Sequence, residues 1–428
     1  MVFSKKKQLV NQHLTHFLLI AIAFFIPLYA RIVPTLIALL LINWFIEGAY
    51  IKTIPLIFKE KNRLRLLYLT LIYFFYLVGL TWSSDMHAGW FDVQVKLSLF
   101  VFPWVFATSA YFPFQRKKLN TILISFITGC FSLMLILYGH ASYELLVNKA
   151  ETAFYYEALS WYNSPIYLAM YLSFAMAVLG YWIIEGYHTA SRFQLTVLGF
   201  VTFNFFVFLI LLNSKAGYLS LFMVVAFYSG YLIVIKKRWV AGIGCFVVCA
   251  MLFLGSLLIF PFTGDRLAQA QKEITSGTGL VKDPKSTTER ILVWQSSLEV
   301  IREHLVIGVG TGDVNAALQE RYLANHHNKL LSKKLNAHNQ YLQTFIALGA
   351  VGFLFLLLIL FVPAVMAFQR KDLLYLLFLI IVAVNLLTES MFERQAGIFF
   401  YAMFNALFFA SDQSDPVGNP ADIPFLKS

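Results

Sequence analysis

Three basic residues lie where the chain passes between polar and strongly apolar sequence. His338 comes before the long apolar part of KLNAHNQYLQTFIALGAVGF, Lys215 follows Asn213 and Ser214 at the start of another apolar run, and Arg290 opens a helix-like polar segment. We expect Lys215 and His338 in the first turns of two helices, where free backbone N–H groups and the helix dipole favour anions. The group suits a phosphate or pyrophosphate. A neutral imidazole at such a position could also accept a proton.

Each of these residues also has a simpler structural explanation. Lys215 could extend its ammonium group to lipid headgroups, and Arg290 could form a surface cation–π pair with Trp294, which follows one helical turn later. A single histidine at a membrane surface is also often structural. Taken one by one, the residues leave both explanations open, whereas the polar cluster around His338 favours chemistry.

Other polar residues beside the apolar runs form a second set of candidates. Ionisable side chains next to membrane spans are costly and are usually connected with function, although some could simply pair with one another. The residues that we consider for substrate binding are Trp294, Asn339, Gln340, Glu389 and Arg394. Further ionisable residues of the same connections are Asp85, Asp92, Lys96 and Glu393.

Two short motifs resemble binding sites but lack their usual context. The adjacent histidines of NHHNK, at 325–329, would point in different directions on a helix, so we predict a solvated loop there. The GVGTGD stretch at 308–313 resembles a phosphate loop, but no Gly-Lys-Ser/Thr follows, and we predict a turn. Cys130, Cys245 and Cys249 lie in apolar runs without the spacing of metal ligands. The sequence therefore predicts neither a metal nor another cofactor.

Composition places these residues in a membrane protein. Hydrophobic residues make up 59% of the 428 residues and charged residues 13%, whereas soluble domains carry about 25% charged residues. Apolar runs long enough to cross a bilayer of about 30 Å recur along the chain. The first run follows three lysines at 5–7 and lacks a cleavage site, so we predict a retained first helix. The fold class predicted is an all-α polytopic membrane protein.

The apolar runs define the predicted topology. We predict twelve spans, at 14–30, 33–50, 64–83, 91–112, 119–140, 165–186, 193–213, 215–235, 239–262, 338–368, 372–389 and 391–410. An even number puts both termini on one side, and Lys and Arg concentrate in the connections of that side, which predicts cytoplasmic termini. The same connections account for most of the net charge of +11. Nucleic-acid binding is therefore not needed to explain that charge.

The connection between the ninth and tenth spans is much longer than the others. We predict a single transmembrane domain over 1–410, with 264–337 inserted as a loop subdomain on the outer face, and a polar, disordered tail over 411–428. Ile291, Trp294, Leu298 and Ile301 recur at helical spacing in the loop and predict an apolar stripe. A loop this long in a compact domain is usually functional.

Several of these features together resemble the O-antigen ligase and O-antigen polymerase family of bacterial membrane glycosyltransferases. His338 and Asn339, followed by nine residues and Gly349, are similar to the family signature. The order of spans with a long loop between the ninth and tenth resembles the family plan. Further matching features are Arg290 with Trp294 four residues later, the glycine turn at 308–312, and the Thr-Glu-Ser sequence at 388–390. The resemblance extends over nearly the whole chain.

The resemblance implies a helical glycosyltransferase of the C type, which works at the periplasmic face of the inner membrane without metal or nucleotide sugar. The implied donor is a glycan on undecaprenyl pyrophosphate, and the acceptor of ligases is lipid A-core. Arg290 would bind the pyrophosphate and His338 would serve the acceptor hydroxyl in an inverting transfer. Ligases often carry arginine where this chain has Lys215, which keeps the charge but lacks the bidentate fork.

Other activities remain open from sequence alone. Polymerases and protein O-oligosaccharyltransferases of the same family use other acceptors, either glycan chains or proteins. A transporter is a remoter alternative, because twelve spans are common among transporters. Transporters of the major facilitator type, however, have their long loop between spans six and seven, where this chain has a minimal connection at about 187–192.

Overall fold

The fold is helical, as the sequence predicts. The computed structural model describes residues 2–109, 114–188, 190–259 and 286–411, and the side chains of 2–8, 61–62, 256–259 and 286–287 are outside this description. Within it, the only extended pairing is an isolated bridge between Phe114 and Ser411. The first part of the predicted loop, 264–285, and nearly all of the predicted tail lie outside the described residues, so the predicted domain division stays a prediction.

Apart from the gap at 260–285, the described helices follow one another with short connections. In chain order they are α1 (Val2–Leu28), α2 (Val33–Glu47), α3 (Tyr50–Ile57), α4 (Lys61–Leu67), α5 (Leu71–Val78), α6 (Met86–Val95), α7 (Ser98–Thr108), α8 (Arg116–Leu146), α9 (Tyr156–Leu159), α10 (Pro165–Gly186), α11 (Arg192–Leu212), α12 (Lys215–Val234), α13 (Trp239–Ile259), α14 (Ser286–Glu303), α15 (Val314–Ala324), α16 (Asn328–Lys333), α17 (Gln340–Gln369), α18 (Leu373–Thr388) and α19 (Gln395–Ala410). Short 3₁₀ turns occupy Ala30–Ile32, Tyr68–Thr70, Gly79–Trp82 and Met391–Glu393.

The membrane character of the chain is confirmed by these helices. Among the described residues, eight helical segments are long and apolar enough to cross a membrane, and the bent pair α6–α7 raises the number to nine. Shorter apolar helices over Trp239–Gly255, Leu373–Thr388 and Gln395–Ala410 coincide with the three remaining predicted spans. The chain is therefore a polytopic membrane protein, and the number twelve stays a prediction.

The fourth predicted span differs from its expected form. We expected one helix over 91–112, whereas α6 begins at Met86, after the N-cap Asp85, and a bend of 43° separates it from α7. Lys96 lies in the break between the two helices and is fully buried. A buried ammonium group must be paired, and the partners of Lys96 form part of the site described below.

The centre of the bundle is helix α10, which is buried along most of its length. Its Phe174 meets Phe126 of α8, Phe378 of α18, and Phe400 and Phe404 of α19, with ring centroids 5.2–5.6 Å apart. Close packing, and not exclusion from water, holds helices together inside a bilayer, and tilted aromatic rings interlock well. This aromatic core fixes α18 and α19 relative to α10.

Helix α17 is interrupted at Gly349, which has φ +64° and ψ −162° inside an otherwise helical segment. Only glycine adopts such a conformation readily, and a Cβ atom here would lie 2.2 Å from a carbonyl oxygen of the neighbouring segment. The interruption gives two helix carbonyls partners from outside the helix. Ile346 O accepts from Val309 N at 2.8 Å, and Ala347 O accepts from Gly310 N at 3.0 Å.

The donors come from the predicted glycine turn at 308–313. Two of its residues have positive φ, +70° at Gly308 and +107° at Gly310. The hydroxyl of Thr311 donates to the carbonyl of Tyr76, on α5, at 2.7 Å. The predicted turn is therefore confirmed. Its backbone amides bind a broken membrane helix, which anchors the loop between α14 and α17 to the bundle.

The buried face of α14 differs from the predicted apolar stripe. Val293 and Val300 are buried and enclose the small side chains of Ser296 and Ser297, whereas Leu298 is 46% exposed. Placing Leu298 in the stripe was therefore wrong. Small serine side chains let α14 lie close to α17, and a search for apolar residues at helical spacing passes over them.

Candidate active site

A large cavity lies at one end of the bundle, where several connections meet. Its volume is about 1450 Å³, above the roughly 300–1,000 Å³ of pockets for drug-sized ligands. Its wall is formed by the α1–α2 connection, α6, the segment 156–167, the start of α14, the segment before α17 and the α18–α19 connection. The connections in this wall follow odd-numbered predicted spans, so the predicted topology puts them on one membrane face.

This cavity separates the predicted site residues into two groups. The residues that line it are Arg290, His338, Glu389 and Arg394. The predicted residues that lie in the described part of the chain but outside this wall are Lys215, Trp294, Asn339 and Gln340. The fold therefore brings four side chains to one cavity, although the sequence could not predict their relative positions.

His338 lies immediately before helix α17. Its φ is +44°, and the helix begins two residues later at Gln340, so the expected position in the first turn was wrong. Nδ1 of His338 lies 3.5 Å from a carboxylate oxygen of Glu389, and both side chains are largely enclosed. This contact directs one ring nitrogen to a carboxylate while the ring borders the cavity.

Asn339 is the N-cap of α17. Its side-chain oxygen accepts hydrogen bonds from the backbone N–H groups of Tyr341 and Leu342 at 2.9 and 3.2 Å, which satisfies donors that every helix N-terminus leaves free. Its own N–H donates to the hydroxyl of Ser390 at 3.3 Å. Asn339 thus fixes the start of α17 next to the α18–α19 connection. Its side chain also occupies backbone N–H groups of the helix that we had expected to bind an anion.

Gln340 joins the same two elements from the other side of the cap. Its side-chain oxygen accepts from the N–H of Phe392 at 2.7 Å, and its side-chain nitrogen donates to the hydroxyl of Thr344 at 3.1 Å. Thr344 also hydrogen-bonds Tyr76 of α5 at 2.9 Å. These buried contacts hold the α18–α19 connection, and with it Glu389, beside His338.

A buried ionic cluster supports this connection from the broken helix. The Lys96 ammonium group lies 2.5 Å from Asp92 and 2.8 Å from Glu393, and it lies over the ring of Tyr76 at 4.6 Å. Burial acts to raise the pKa of Glu393, but the Lys96 charge and hydrogen bonds with Asp92, Lys96 and Gln340 together outweigh it, and that pKa lies below its ordinary value. Glu393 therefore carries its charge at neutral pH and ties the cavity wall to α6.

Arg290 borders the cavity from helix α14. Its neighbour Glu289 is bound by Lys329 at 3.3 Å and by Lys333 at 2.6 Å. Among the described residues no carboxylate forms an ion pair with Arg290, and no cation–π contact joins it to Trp294. The guanidinium group is therefore open to an anionic ligand.

Trp294 and Lys215 have different surroundings from Arg290. Trp294 packs against the buried core, which favours the packing explanation over contact with a sugar. Lys215 begins α12 behind the N-cap Ser214, whose hydroxyl accepts from the N–H of Gly217 at 3.3 Å. The predicted helix start is confirmed, and its lysine is half-buried. The predicted topology puts it on the same membrane face as the cavity.

The NHHNK motif connects α15 to α16 and helps to hold the loop helices together. The Asn325 amide donates to Glu299 at 2.8 Å, and the Lys329 ammonium group binds Glu289 as described above. Burial lowers the pKa of His327, which favours its neutral form. Nowhere in the described residues do three or more potential metal-binding side chains come together.

Sequence reasoning missed several residues of the cavity wall. Arg31 and Trp161, from two connections, and Tyr167, from the first turn of α10, line it and lie in no recognisable motif. A signal existed for Arg31, because arginine is scarce in the connections of the outer face. The two aromatic residues gave no signal in a chain with 17% aromatic residues.

Comparison with known families gives a match to the middle of the chain. Residues 200–357 match the family model described as O-antigen ligase. Over this segment the chain is similar to the O-antigen ligase family. This confirms the family resemblance found in the sequence. No curated protein matches the chain.

The matched segment extends from α11 into α17. It contains Lys215, Arg290, His338 and the Gly349 break, whereas Glu389 lies beyond its end. The family is one of glycosyltransferase-type enzymes of O-antigen ligation and polymerisation, which agrees with a cavity lined by His338 and Arg290. The α18–α19 connection is thus a part of the site that the fold adds to the matched segment.

Proposed function

We propose that the protein transfers a glycan from undecaprenyl pyrophosphate to an acceptor hydroxyl, and that the acceptor is lipid A-core, as in O-antigen ligation. The observation that carries the proposal is the His338–Glu389 contact in the wall of a cavity that Arg290 and Arg394 also line. A candidate base and two candidate phosphate ligands thereby border one space, which is large enough for two substrates.

His338 is proposed as the general base. Its Nδ1 faces Glu389, which favours the tautomer with the proton on Nδ1 and leaves the lone pair on Nε2. Nε2 takes the proton of the acceptor hydroxyl while the oxygen attacks the anomeric carbon of the donor. The bond from that carbon to the phosphate oxygen breaks, and the configuration at the anomeric carbon inverts. The proton on His338 then passes to solvent, so the base is restored.

Arg290 and Arg394 are proposed to bind the pyrophosphate. A guanidinium group offers parallel N–H donors that match phosphate oxygens in pairs. Charge grows on the leaving pyrophosphate in the transition state, and donors already in position stabilise it without further reorganisation. Lys215 is proposed to add positive charge from the same membrane face, as a weaker contributor outside the cavity wall. Asn339 and Gln340 act by positioning His338 and Glu389.

The proposed location is the bacterial inner membrane, with cytoplasmic termini and the cavity on the periplasmic face. A cysteine at Ser332 should then react with a membrane-impermeant thiol reagent in cells whose outer membrane is permeable, and one at Lys237 should not. The background should lack the three native cysteines. Labelling at Lys237, or at both positions, would contradict this orientation and the periplasmic chemistry.

Reconstitution with defined substrates tests the proposed reaction directly. Purified protein in nanodiscs receives an undecaprenyl-pyrophosphate glycan together with lipid A-core, a glycan acceptor or an acceptor protein, and mass spectrometry identifies the product. We expect a new glycosidic bond to lipid A-core with inverted configuration. Transfer only to a glycan or only to a protein would identify a polymerase or a protein O-oligosaccharyltransferase instead. No product with any acceptor would contradict the proposed function.

A further inference from the structure

The cavity wall contains several aromatic side chains that the proposed reaction does not use. The wall includes Tyr29 and Arg31 from the α1–α2 connection and Trp161, Tyr162 and Tyr167 around the start of α10. We call these five residues the aromatic wall. Resting on the proposed function, we propose that the aromatic wall is a sugar-binding subsite that holds pyranose rings of a glycan during transfer.

Trp161 is the central element of this wall because its ring is fixed and still accessible. One face of the indole stacks on His140, with ring centroids 4.8 Å apart and an angle of 20° between the planes. Tyr162 meets its edge at 4.9 Å. The side chain is nevertheless 57% exposed. A fixed, flat, apolar surface next to polar groups suits the C–H face of a pyranose, whose hydroxyl groups remain free to hydrogen-bond at the ring edge.

The segment that carries Trp161 is attached to the end of α1. The Tyr162 hydroxyl donates to the carbonyl of Leu28 at 3.1 Å, and the Asn163 amide donates to the carbonyl of Pro27 at 3.3 Å. These carbonyls belong to the last turn of α1, where helix oxygens lack partners within the helix. The attachment brings the segment next to the connection that carries Tyr29 and Arg31.

Tyr167 connects the aromatic wall to the proposed reaction centre. It packs against Gly397, where an added Cβ atom would lie 2.9 Å from the tyrosine ring, and Gly397 follows Arg394 by one helical turn. Its hydroxyl has no hydrogen-bond partner among the described residues, although buried hydroxyl groups are usually hydrogen-bonded. A sugar hydroxyl could supply that partner after a small side-chain movement, so the subsite would continue directly from the pyrophosphate end.

The alternative explanation of Trp161 is the aromatic belt that anchors membrane proteins at the lipid headgroups. Trp90 on α6 provides a matched control, since it is 55% exposed and its neighbour Phe91 lines the cavity, while Trp90 itself is not in the cavity wall. An anchoring role would make the two tryptophans equivalent, whereas a sugar-binding role would make them differ.

Transfer kinetics of the purified protein in nanodiscs test the subsite. Trp161→Ala, Trp161→Phe and Trp90→Ala are compared with the unaltered protein, first with the donor varied and then with the acceptor varied. We expect Trp161→Ala to raise KM for one of the two substrates about tenfold with little change in kcat. Trp161→Phe should restore most of the affinity, and Trp90→Ala should leave both KM values unchanged. The substrate whose KM rises identifies whether donor or acceptor sugars occupy the wall.

Two outcomes would overturn the subsite. One is an unchanged KM for both substrates in Trp161→Ala, and the other is an equal effect of Trp161→Ala and Trp90→Ala. Elution on size exclusion and thermal unfolding check that the alanine variant folds, and the phenylalanine variant keeps the test possible if it does not.

A failure of the proposed function can be distinguished from a failure of the subsite. If the unaltered protein transfers no glycan, saturation-transfer NMR with the free oligosaccharide repeat unit tests binding alone. A signal with the unaltered protein that is lost in Trp161→Ala would support the subsite. Equal signals for the two proteins, or none for either, would contradict it.

Discussion

Helices α12 and α17 begin alike in sequence, with polar residues before a long apolar run, but their first residues have different surroundings. Both helices have a side-chain cap, Ser214 for α12 and Asn339 for α17. Lys215 follows its cap and is the first helical residue. His338 precedes its cap, has φ +44° and faces the cavity and Glu389. The basic residue before the cap, and not the one after it, borders the cavity.

The difference follows from what a cap does at each helix start. A capping oxygen takes the first free amides of the helix, so neither start offers all its N–H groups to an anion. The residue before the cap lies outside the helix, where its backbone can turn the side chain away from the helix axis. In the proposed function, anion binding then falls to guanidinium groups such as Arg290 and Arg394, and the imidazole of His338 is left for proton transfer.

The strongest test of this difference is removal of the imidazole. We expect His338→Ala and His338→Asn each to lower the transfer rate by roughly 10²–10⁴-fold, the contribution of a general base. Asparagine tolerates positive φ better than alanine does, so the second variant separates loss of the base from backbone strain. His304→Ala, at an exposed position in the connection between α14 and α15, is the control and should retain full activity.

The pH dependence of the transfer rate adds to this test. A protonated imidazole has no lone pair, so transfer by the unaltered protein should slow towards acidic pH, and the His338→Asn variant should lose that dependence. Near-normal turnover of a folded His338→Asn variant would contradict the proposed site.

Arg290 should give the next largest effect. We expect Arg290→Ala to lower kcat/KM by roughly 10²–10³-fold, because it removes a charged contact that strengthens in the transition state. Arg290→Lys should recover only part of this activity, since an ammonium group cannot bind phosphate oxygens in pairs. Arg302→Ala, at the exposed end of the same helix, is the matched control. Equal activities of the Arg290 and Arg302 variants would remove Arg290 from the site.

Glu389 tests whether His338 depends on its carboxylate neighbour. Glu389→Gln keeps the shape of the side chain but removes the charge that would stabilise the imidazolium, so we expect a loss of about tenfold or more in kcat with a smaller change in KM. Because the same residue follows the buried end of α18, thermal unfolding should be measured together with the kinetics. A loss of stability without a change in kcat would assign Glu389 a structural role only.

Lys215 should give the smallest effect. We expect Lys215→Ala to lower the transfer rate by about tenfold or less, because a charge outside the cavity wall acts through partly screened electrostatics, and Lys215→Arg should retain nearly full activity. The activities are compared at low and at high salt. A loss as large as that of Arg290→Ala would place Lys215 among the groups that bind the anion and would contradict the distinction drawn here.

The sequence by itself determined the class of fold and most of the helix positions. Hydropathy is a local property, so a run of apolar residues predicts a membrane helix whatever surrounds it. Glycine at 308, 310 and 349 likewise indicates backbone that other residues adopt only with strain. The resemblance to the family was also evident in sequence, since His338, Asn339 and, nine residues later, Gly349 are similar to its signature.

Only the tertiary structure decided which side chains share the cavity. The break beside Lys96 depends on Glu393, which is 297 residues away along the chain, and no local pattern encodes such a pair. Leu298 was assigned to the buried stripe of α14 because the buried serines that take its place leave no apolar signal. Trp161 joins the wall because its segment binds the end of α1. These placements depend on caps, long-range ion pairs and hydrogen bonds between distant segments, whereas hydropathy and helical spacing record only what each residue would do within its own helix.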